Sequence, residues 1–241
     1  MSRLSIITVT YNAATTIERT LKSVLEQTYT NIEHIIIDGK SSDGTLKLVQ
    51  KYDNSKMRWI SEDDKGLYHA MNKGIKKANG NYLCFLNAGD TFFTKESVAI
   101  LMRSSEDSPD IIYGETAIVD NNGKFLHMRR LKAPVKLNWK SFKQGMVVCH
   151  QAFIVKRELA ELYDLSYKFS SDFEWCIRIM KKSNHIHNTD TILIKYLNEG
   201  MTTTNRKASL IERYKIMNRY YGYIPTFVHH IWFVIRALIK K

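Results

Sequence analysis

The stretch Tyr82-Leu-Cys-Phe-Leu-Asn-Ala-Gly-Asp-Thr91 carries the strongest indication of the fold. Its five apolar or aromatic residues, Tyr82 to Leu86, are typical of a strand that is buried on both faces. Small polar residues follow, and Asp90 comes directly after a glycine. Ligands of an open parallel sheet bind just beyond the carboxyl ends of its strands. A carboxylate placed there can hold a hard cation against a phosphate, and it can equally cap a helix near Thr94.

The residues upstream of this stretch predict three strand–helix units. The predicted elements are strands over 4–10, 32–38 and 57–60, each followed by a helix, over 17–26, 45–52 and 67–78. Alternating strands and helices predict a parallel sheet with helices on its faces, so the fold class is α/β and Rossmann-like. The carboxyl ends of parallel strands share one edge, and this would bring together Asp38, the acidic segment 62–64 and Asp90.

The second half of the chain has a less regular pattern. Asn121-Asn-Gly123 predicts a hairpin between short strands. The other predicted elements are helices over 95–103, 139–143 and 173–182, strands over 110–113, 116–120, 124–128, 147–156 and 185–196, and a polar loop over 198–205. The polar pair His150-Gln151 interrupts the predicted strand 147–156. The residues from 208 onward predict a helical C-terminal appendage with a break at 222–225. No repeat or linker interrupts the chain, so we expect one domain with a tail.

Composition limits the possible partners and compartments. The 241 residues carry a formal net charge of +12, which suits nucleic acid, an anionic membrane or phosphorylated substrates. Basic residues are spread along the chain rather than clustered on one motif, so no nucleic-acid partner is expected. The three cysteines have apolar neighbours and no CxxC spacing, which favours a reducing, cytoplasmic location. The sequence shows neither a signal peptide nor a run of about 20 apolar residues.

Five short motifs follow one another in the chain. They are Ile7-Thr-Val-Thr-Tyr-Asn12, Ile37-Asp-Gly-Lys-Ser-Ser-Asp-Gly-Thr45, Asp64-Lys-Gly-Leu-Tyr-His-Ala-Met-Asn-Lys-Gly74, Phe85-Leu-Asn-Ala-Gly-Asp90 and Ser171-Asp172. In this order they resemble the family 2 glycosyltransferases of the GT-A fold. The resemblance covers about residues 3–200. It is closest to the bacterial branch that adds sugars to capsule, exopolysaccharide or lipopolysaccharide units.

The resemblance implies a reaction and a division of the chain. A sugar would pass from a UDP- or GDP-sugar to a hydroxyl of a glycan acceptor, lipid-linked in this branch, with inversion at the anomeric carbon. A glycosyltransferase domain would span 1–205, with its nucleotide-sugar half over 1–113 and its acceptor half over 114–205. The segment 206–241 would form a basic, aromatic helical tail.

The resemblance also implies roles for individual residues. Asp172 would be the general base, and Asp90 would hold Mg²⁺ or Mn²⁺ against the diphosphate. His150 and Gln151 would contact the donor sugar or the acceptor. The residues implied in binding the nucleotide sugar are Thr8, Val9, Tyr11, Asn12, Asp38, Asp43, Asp64, Lys65, Gly66, Asn72, Asn87, Ala88 and Gly89. Many members carry Asp-x-Asp where this chain has Asn87-Ala-Gly-Asp90, so metal dependence is less firmly implied.

The sequence leaves structural alternatives open for several of these residues. Asp38 and Asp43 would also stabilise an Asx turn, and Tyr11 would also serve as a core aromatic. Asp172 would also serve as an N-cap, with Glu174 as the alternative base. His150 would also make a purely structural hydrogen bond.

Other proteins share parts of this pattern. An inactive sugar-nucleotide-binding relative fits the absent first acid of Asp-x-Asp. A nucleotidyltransferase fits less well, because a Gly-rich loop is absent at 9–14. The tail mixes aromatic and basic residues, which predicts peripheral contact with the inner face of the cytoplasmic membrane. A tail helix packed on the domain is the alternative.

Overall fold

A computed structural model describes residues 1–198 and 205–238. Its strands are Leu4–Thr10 (β1), Ile32–Asp38 (β2), Met57–Ser61 (β3), Tyr82–Phe85 (β4), Thr91–Phe92 (β5), Ile111–Val119 (β6), Phe125–Met128 (β7), Phe153–Lys156 (β8) and Ile186–Leu197 (β9). Its α-helices are Ile17–Leu25 (α1), Thr45–Lys51 (α2), Leu67–Lys77 (α3), Ser97–Arg103 (α4), Ser171–Met180 (α5), Arg206–Tyr221 (α6) and Tyr223–Leu238 (α7). The predicted polar loop 198–205 lies, apart from its two end residues, outside the described residues.

The first half of the chain forms the predicted parallel sheet. β2 pairs in parallel with β1 and β3, and β4 pairs in parallel with β1. β1 and β4 are buried along their whole length, which explains why they carry apolar or small residues on both faces. Because these four strands run the same way, Asp38, the segment 62–64 and Asp90 follow strand ends at one edge of the sheet.

The second half extends this sheet with both strand directions. The strand order is β3-β2-β1-β4-β8-β6-β9-β5, and β7 pairs with β6. β8 runs antiparallel to β4 and β6, while β9 runs parallel to β6. The predicted α/β class is confirmed. β8 joins the two halves, so the residues before it lie beside the carboxyl edge of β4.

Two predicted strands, 110–113 and 116–120, form the single strand β6. Gly114 lies between them, and the sequence places a break there. A Cβ at Gly114 would lie only 2.6 Å from Oγ1 of Thr189, so the missing side chain allows β6 to pass close to β9. The prediction of two strands was wrong because a glycine also permits close approach of two strands.

The predicted interruption of the strand 147–156 at His150-Gln151 is confirmed, but the prediction of a strand over 147–149 is wrong. A 3-10 turn, His150–Ala152, stands before β8, which begins at Phe153. Both His150 and Gln151 are buried and hydrogen-bonded to side chains in the interior. The backbone turns so that these polar groups find partners, since an unpaired buried polar group would be costly.

The two C-terminal helices differ in burial. α6 packs Ile216 and Met217 into the main hydrophobic core, whereas α7 exposes apolar side chains along one face. The exposed residues are Tyr223, Ile224, Phe227, Val228, Ile231, Trp232 and Ile235. Among the described residues, no helix is long and apolar enough to cross a membrane. The first tail helix is therefore anchored in the folded core, although it exposes Leu210 and Ile211, whereas α7 exposes an apolar face.

His34 in β2 should make the stability of the fold depend on pH. It is buried, and its Nε2 lies 2.9 Å from Oγ1 of Thr8. Burial lowers the pKa of His34 from 6.5 to about 3. Between these values the unfolded chain binds a proton that the folded chain does not, so stability is complete above pH 6.5 and is lost as the pH falls toward 3.

We predict that His34→Gln, which replaces the imidazole beside Thr8 by an uncharged amide, makes acid destabilisation less steep. The urea midpoint should fall less between about pH 7 and about pH 4.5 in this variant than in the wild type. The partly exposed His187 offers a matched control, and His187→Gln should behave like the wild type. Equal losses in all three proteins would contradict the prediction.

Candidate active site

Two adjoining cavities lie at the carboxyl edge of β1 to β4. The Asp172 cavity has a volume of about 500 Å³ and the Asp64 cavity a volume of about 570 Å³. They share a wall formed by Val9, Thr10, Tyr11 and Leu67. The predicted site residues that line the Asp172 cavity are Val9, Tyr11, Asn87, Ala88, Asp90, His150, Gln151 and Asp172. The fold thus brings motifs from distant parts of the chain to one continuous depression.

Asp172 is held at the cavity wall by a tyrosine of α3. The Tyr68 hydroxyl donates a hydrogen bond of 2.8 Å to Oδ1 of Asp172. Burial, followed by the charge of Asp172, raises the pKa of Tyr68 well above its usual value, so the phenol stays protonated and acts as a donor. The other carboxylate oxygen has no hydrogen-bond partner within residues 1–198 and 205–238. It is therefore available to accept a proton from a bound hydroxyl.

Asp172 does not serve as the helix N-cap. α5 begins at Ser171, and the cap position belongs to Ser170. Asp172 lies inside the first turn, where a negative charge interacts favourably with the helix dipole. The alternative base, Glu174, is buried and accepts hydrogen bonds from Arg178 at 3.1 and 3.2 Å. Glu174 does not line either cavity, so the geometry favours Asp172.

Asp90 is buried at the floor of the Asp172 cavity. Its Oδ1 accepts a hydrogen bond of 2.9 Å from the backbone N–H of Leu197, and its Oδ2 accepts one of 2.8 Å from Nε2 of Gln151. Burial raises the pKa of Asp90 to about 7, against the opposing effect of these two donors. The alternative role as a helix cap near Thr94 is wrong, because α4 begins at Ser97 and the Asp90 carboxylate is bound elsewhere.

The loop before Asp90 offers a second oxygen. Oδ1 of Asn87 is buried and has no hydrogen-bond partner in the described part of the chain. Gly89 adopts a φ of +99°, and its N–H donates to Oγ1 of Thr20 at 2.9 Å. Glycine is favoured here for two reasons: it adopts this positive φ readily, and a Cβ at this position would lie only 2.7 Å from Cδ2 of Leu197. The turn presents Asn87 and Asp90 to the same cavity.

These two oxygen groups fit a divalent cation that is shared with a substrate. Among the described residues, no three acidic, histidine or cysteine side chains converge on one point. Mg²⁺ is commonly bound through one or two carboxylates and completed by substrate phosphates and water. The Asp90 carboxylate and the unpartnered Asn87 Oδ1 match such a partial ligand set. They do not form a cage that would hold a metal without the substrate.

Asp64 presents an acceptor to the neighbouring cavity. Its Oδ1 lies 3.0 Å from Nδ1 of His69 and 2.7 Å from Nζ of Lys73. Its Oδ2 is buried without a partner in the described residues. Gly39 lies beside both this oxygen and the ring of Tyr11. A Cβ added to Gly39 would stand 3.5 Å from Oδ2 of Asp64 and 3.4 Å from Cδ2 of Tyr11. Tyr11 is 67% exposed, which excludes the core alternative and leaves its ring free to stack.

Other predicted nucleotide contacts instead fasten the loops around the site. The Asp38 carboxylate is fully buried and accepts hydrogen bonds from Ser41 and Ser61. Asp43 accepts from Thr45 N–H at 2.9 Å, as the turn alternative predicts, and also from Ala14. Neither carboxylate lines the Asp172 cavity or the Asp64 cavity, so their direct contact with a nucleotide stays a prediction.

The turn after β1 is tied to the same loop. Asn12 has a φ of +47°, and its Oδ1 accepts a hydrogen bond of 2.9 Å from Ser42 N–H. Its own N–H donates to Oγ of Ser41 at 2.8 Å. Asn12 lines neither cavity. It positions the adjacent Tyr11, which does.

Four further predicted residues have structural surroundings. Thr8 is buried against His34, and Asn72 exchanges two hydrogen bonds with the backbone of Tyr163. Lys65 is exposed, and Gly66 has a φ of +110° that glycine adopts readily, next to the start of α3. Only Gly66 of these four lines a cavity, that of Asp64. Contact of the other three with a nucleotide sugar stays a prediction.

His150 combines a structural bond with a place at the site. Its Nε2 lies 2.6 Å from the hydroxyl of Tyr163, and its ring packs against Phe85 and Trp175. Burial lowers the pKa of His150 to about 4, so the ring is neutral at physiological pH. A neutral imidazole cannot neutralise a phosphate, and its part at the cavity wall is shape and hydrogen bonding.

Among the residues of the Asp172 cavity that sequence reasoning missed, three bear on the chemistry proposed below. They are Tyr68, Arg129 and Arg213. Tyr68 lies inside one of the five motifs. Its hydrogen bond to Asp172, 104 positions later in the chain, cannot be recognised from the neighbouring sequence. Arg129 follows the exposed strand β7, and Arg213 belongs to the tail helix α6. Both resemble ordinary solvated cations in the sequence, so only the fold could show that they face the cavity.

Comparison with known proteins identifies a family. The family description "Glycosyl transferase family 2" matches residues 5–163. The UDP-Glc:alpha-D-GlcNAc-diphosphoundecaprenol beta-1,3-glucosyltransferase WfgD of Escherichia coli is 26% identical over 242 residues, which cover 98% of this chain and 92% of that protein.

Two solved structures share the fold. S. aureus TarS 1-349 in complex with UDP-GlcNAc has a TM-score of 0.75 at 19% identity. The match covers 90% of this chain but only 64% of that one, less than two thirds. The mannosyltransferase PcManGT of Pyrobaculum calidifontis, in complex with GDP-Man and Mn²⁺, has a TM-score of 0.65 at 18% identity and covers 95% of this chain and 68% of that chain.

The strand order and the likeness to these solved structures show the α/β GT-A fold, with an acidic sheet edge beside two cavities. The chain belongs to glycosyl transferase family 2, whose match spans more than half of its length. It is therefore a glycosyltransferase, as the five motifs predict. The family does not determine the sugar or the acceptor, because these depend on the shape of the cavities.

Proposed function

We propose that this glycosyltransferase moves a sugar from a UDP- or GDP-sugar to a hydroxyl of a lipid-linked glycan acceptor, with inversion, in cell-surface polysaccharide biosynthesis. One observation carries the proposal: Asp172, held by Tyr68, faces the same cavity as Asn87 and Asp90. A base and a diphosphate-binding loop in one cavity suit a direct displacement. The name of E. coli WfgD, with its diphosphoundecaprenol-linked substrate, supports the choice of acceptor.

The described residues divide the reaction between them. Tyr11 would stack on the nucleobase, while Oδ2 of Asp64 accepts a hydrogen bond from the base or ribose. Asp172 would take the proton of the acceptor hydroxyl as that oxygen forms a bond to the anomeric carbon. The bond from this carbon to the diphosphate breaks on the opposite face, so the configuration inverts. The electron pair of the broken bond leaves with the nucleoside diphosphate.

Asp90 and Asn87 would hold Mg²⁺ or Mn²⁺ at the diphosphate. When bound, the cation neutralises the charge that develops on the leaving group. Gln151 and the Leu197 N–H fix the orientation of the Asp90 carboxylate by the bonds described above. Gln151 therefore acts on Asp90 as a positioning residue, in addition to its place at the cavity wall.

Transfer by purified protein from a panel of UDP- and GDP-sugars to bacterial lipid extract, followed by mass spectrometry, tests the proposal. A lipid product one sugar heavier is expected, and it should require a divalent cation. Binding of a sugar nucleotide without any product would instead indicate an inactive relative. Diphosphate released from a nucleoside triphosphate and a sugar phosphate would indicate a nucleotidyltransferase.

Tyr68→Phe should reduce turnover without weakening substrate binding. The change removes the hydroxyl that holds Oδ1 of Asp172 and leaves the ring in place. Loss of one such hydrogen bond should lower kcat about 5- to 30-fold, while KM for both substrates stays within about twofold. Steady-state kinetics measure both parameters. Tyr29→Phe, which removes a hydroxyl bound to Ser2 away from the cavities, is the matched control. An unchanged kcat in Tyr68→Phe would contradict the role of Tyr68.

We further propose that α7 rests on the cytoplasmic face of an anionic membrane. Its exposed apolar residues recur at helical spacing along one face. At the base of this helix Trp139 and Tyr221 stack at 5.4 Å, with Lys140, Lys143 and Lys181 over the two rings. Aromatic rings and lysines beside an apolar face are complementary to acidic lipid headgroups. This placement would bring a lipid-linked acceptor to the site.

Removal of residues 224–241 should release the protein from vesicles that contain acidic phospholipids. Co-sedimentation with phosphatidylglycerol vesicles and with neutral phosphatidylcholine vesicles measures the binding. The milder change Phe227→Asn with Trp232→Asn should weaken it about 10-fold or more, because two exposed aromatic rings are lost. Leu25→Asn, at an exposed apolar residue of α1, is the control. Full sedimentation of the truncated protein would contradict the proposal.

A further inference from the structure

Two arginines at the Asp172 cavity lack partners for buried guanidinium nitrogens. Nε of Arg213 and Nη1 of Arg129 are buried, and neither has a hydrogen-bond partner within the described residues. No described carboxylate lies within ion-pair distance of either side chain. An arginine remains charged at any physiological pH. Within the described residues, each therefore brings to the cavity a positive charge that has no ion-pair partner.

α6 holds Arg213 in place through its neighbours. The carboxylate of Glu212 accepts hydrogen bonds of 2.8 Å from the backbone N–H groups of Lys168 and Phe169. Ser209, one turn earlier, lies 2.9 Å from the hydroxyl of Ser170. The Arg213 guanidinium stands 5.7 Å from the ring centre of Phe173, the residue after Asp172. The side chain is thus presented from a fixed helix, next to the proposed base.

Arg129 enters the cavity from another element. Its backbone N–H donates to the Thr116 carbonyl at 3.1 Å, which fixes it beside β6. Cys149 and Tyr196 belong to the same cavity wall, and burial raises the pKa of both side chains. The positive charge of Arg129 acts in the opposite direction and lowers these pKa values. Arg213 acts likewise on Tyr68. The two cations therefore belong to the same electrostatic surroundings as Asp90 and Asp172.

We propose that Arg129 and Arg213 bind a diphosphate group of a substrate in the Asp172 cavity. A partly buried cation without a counter-ion is costly, and an anionic ligand removes that cost. Guanidinium groups bind phosphate oxygens through paired, charge-assisted hydrogen bonds. This inference rests on the proposed function, which supplies two diphosphates: that of the donor nucleotide and that of a lipid-linked acceptor.

The assignment makes α6 part of the active site rather than an attachment to it. Sequence reasoning separates the segment 206–241 from the catalytic domain as a tail. Arg213 would instead supply, from that segment, a contact that the acidic loops cannot make. The missing first acid of Asp-x-Asp leaves the diphosphate with fewer cation ligands, and the two arginines would provide further positive charge.

Binding measurements on Arg213→Met, Arg129→Met and the control Lys215→Met test this inference. Lys215 is exposed on the same helix, so its change removes an equal charge outside the cavity. Calorimetry would give the affinities for UDP, GDP, UMP and GMP, and kinetics would give KM for acceptors with and without a diphosphate. Arg213→Lys serves as a second variant if the methionine variant does not fold, since it keeps the charge but loses the paired donors.

The outcomes separate the two sources of the diphosphate. A loss of about 10- to 100-fold for UDP or GDP, with UMP and GMP changed less, assigns the arginines to the donor. A rise in KM confined to the diphosphate-bearing acceptor assigns them to the acceptor. If the arginine variants fold and all these values stay within twofold of the Lys215→Met protein, the inference is overturned. A wild-type protein without transferase activity would instead overturn the proposed function.

Discussion

Asp172→Asn should reduce sugar transfer by about 10²- to 10⁴-fold, the usual contribution of a general base. The amide has the shape of the carboxylate and can still accept the Tyr68 hydrogen bond through its carbonyl oxygen. It cannot take a proton from the acceptor hydroxyl. Because the change lies on the acceptor side, the affinity for UDP or GDP should stay within about twofold. Single-turnover rates and calorimetry measure the two quantities.

Glu174→Gln distinguishes the two carboxylates of α5. Glu174 is buried against Arg178 and away from both cavities, so this change should lower stability more than it lowers turnover per folded molecule. Thermal unfolding measured beside turnover separates the two effects. Full activity in Asp172→Asn, or a greater loss of turnover in folded Glu174→Gln, would overturn the assignment of the base.

Asp90→Asn should lower the rate of sugar transfer about 10²-fold or more. It should also raise the cation concentration that gives the half-maximal rate. The carboxylate is the one formal negative charge that the loop 87–90 offers a cation. The asparagine retains an acceptor for the Leu197 N–H, so the fold should be kept. Several kilocalories per mole of charge stabilisation depend on a bound cation, which sets the size of the expected effect.

Asn87→Ala provides the comparison at the same loop. It removes a neutral oxygen, so we expect a smaller rise in the cation requirement, about 3- to 10-fold. Titration of the rate with Mn²⁺ and Mg²⁺ gives both shifts. If Asp90→Asn shows the wild-type dependence on cation concentration, Asp90 does not hold the cation.

The regular half of the fold was predictable because its signals are local. Buried parallel strands need apolar residues on both faces, and β1 and β4 show this in continuous stretches. Strand–helix alternation determines the direction of the strands, and direction places Asp38, the segment 62–64 and Asp90 at one edge. The approximate location of the site therefore followed from the order of elements along the chain.

The roles within the site were less predictable, because the same residue types serve turns and ligands. Asp38 ends β2 and Asp64 follows β3, so both acids stand at the carboxyl ends of parallel strands. In the structure the serines around Asp38 use both of its oxygens, whereas Asp64 keeps one buried oxygen unpartnered beside Tyr11. This difference depends on which side chains approach in three dimensions, and no spacing rule contains it.

The sequence by itself determined the α/β class, the family and the edge of the sheet at which the acidic residues gather. It could do so because periodicity and short motifs are properties of neighbouring residues. Only the tertiary structure decided that Tyr68 holds Asp172, that Gln151 orients Asp90 and that α6 brings Arg213 to the cavity. Each of these is a contact between residues far apart in the chain, and the packing of helices on the sheet creates it.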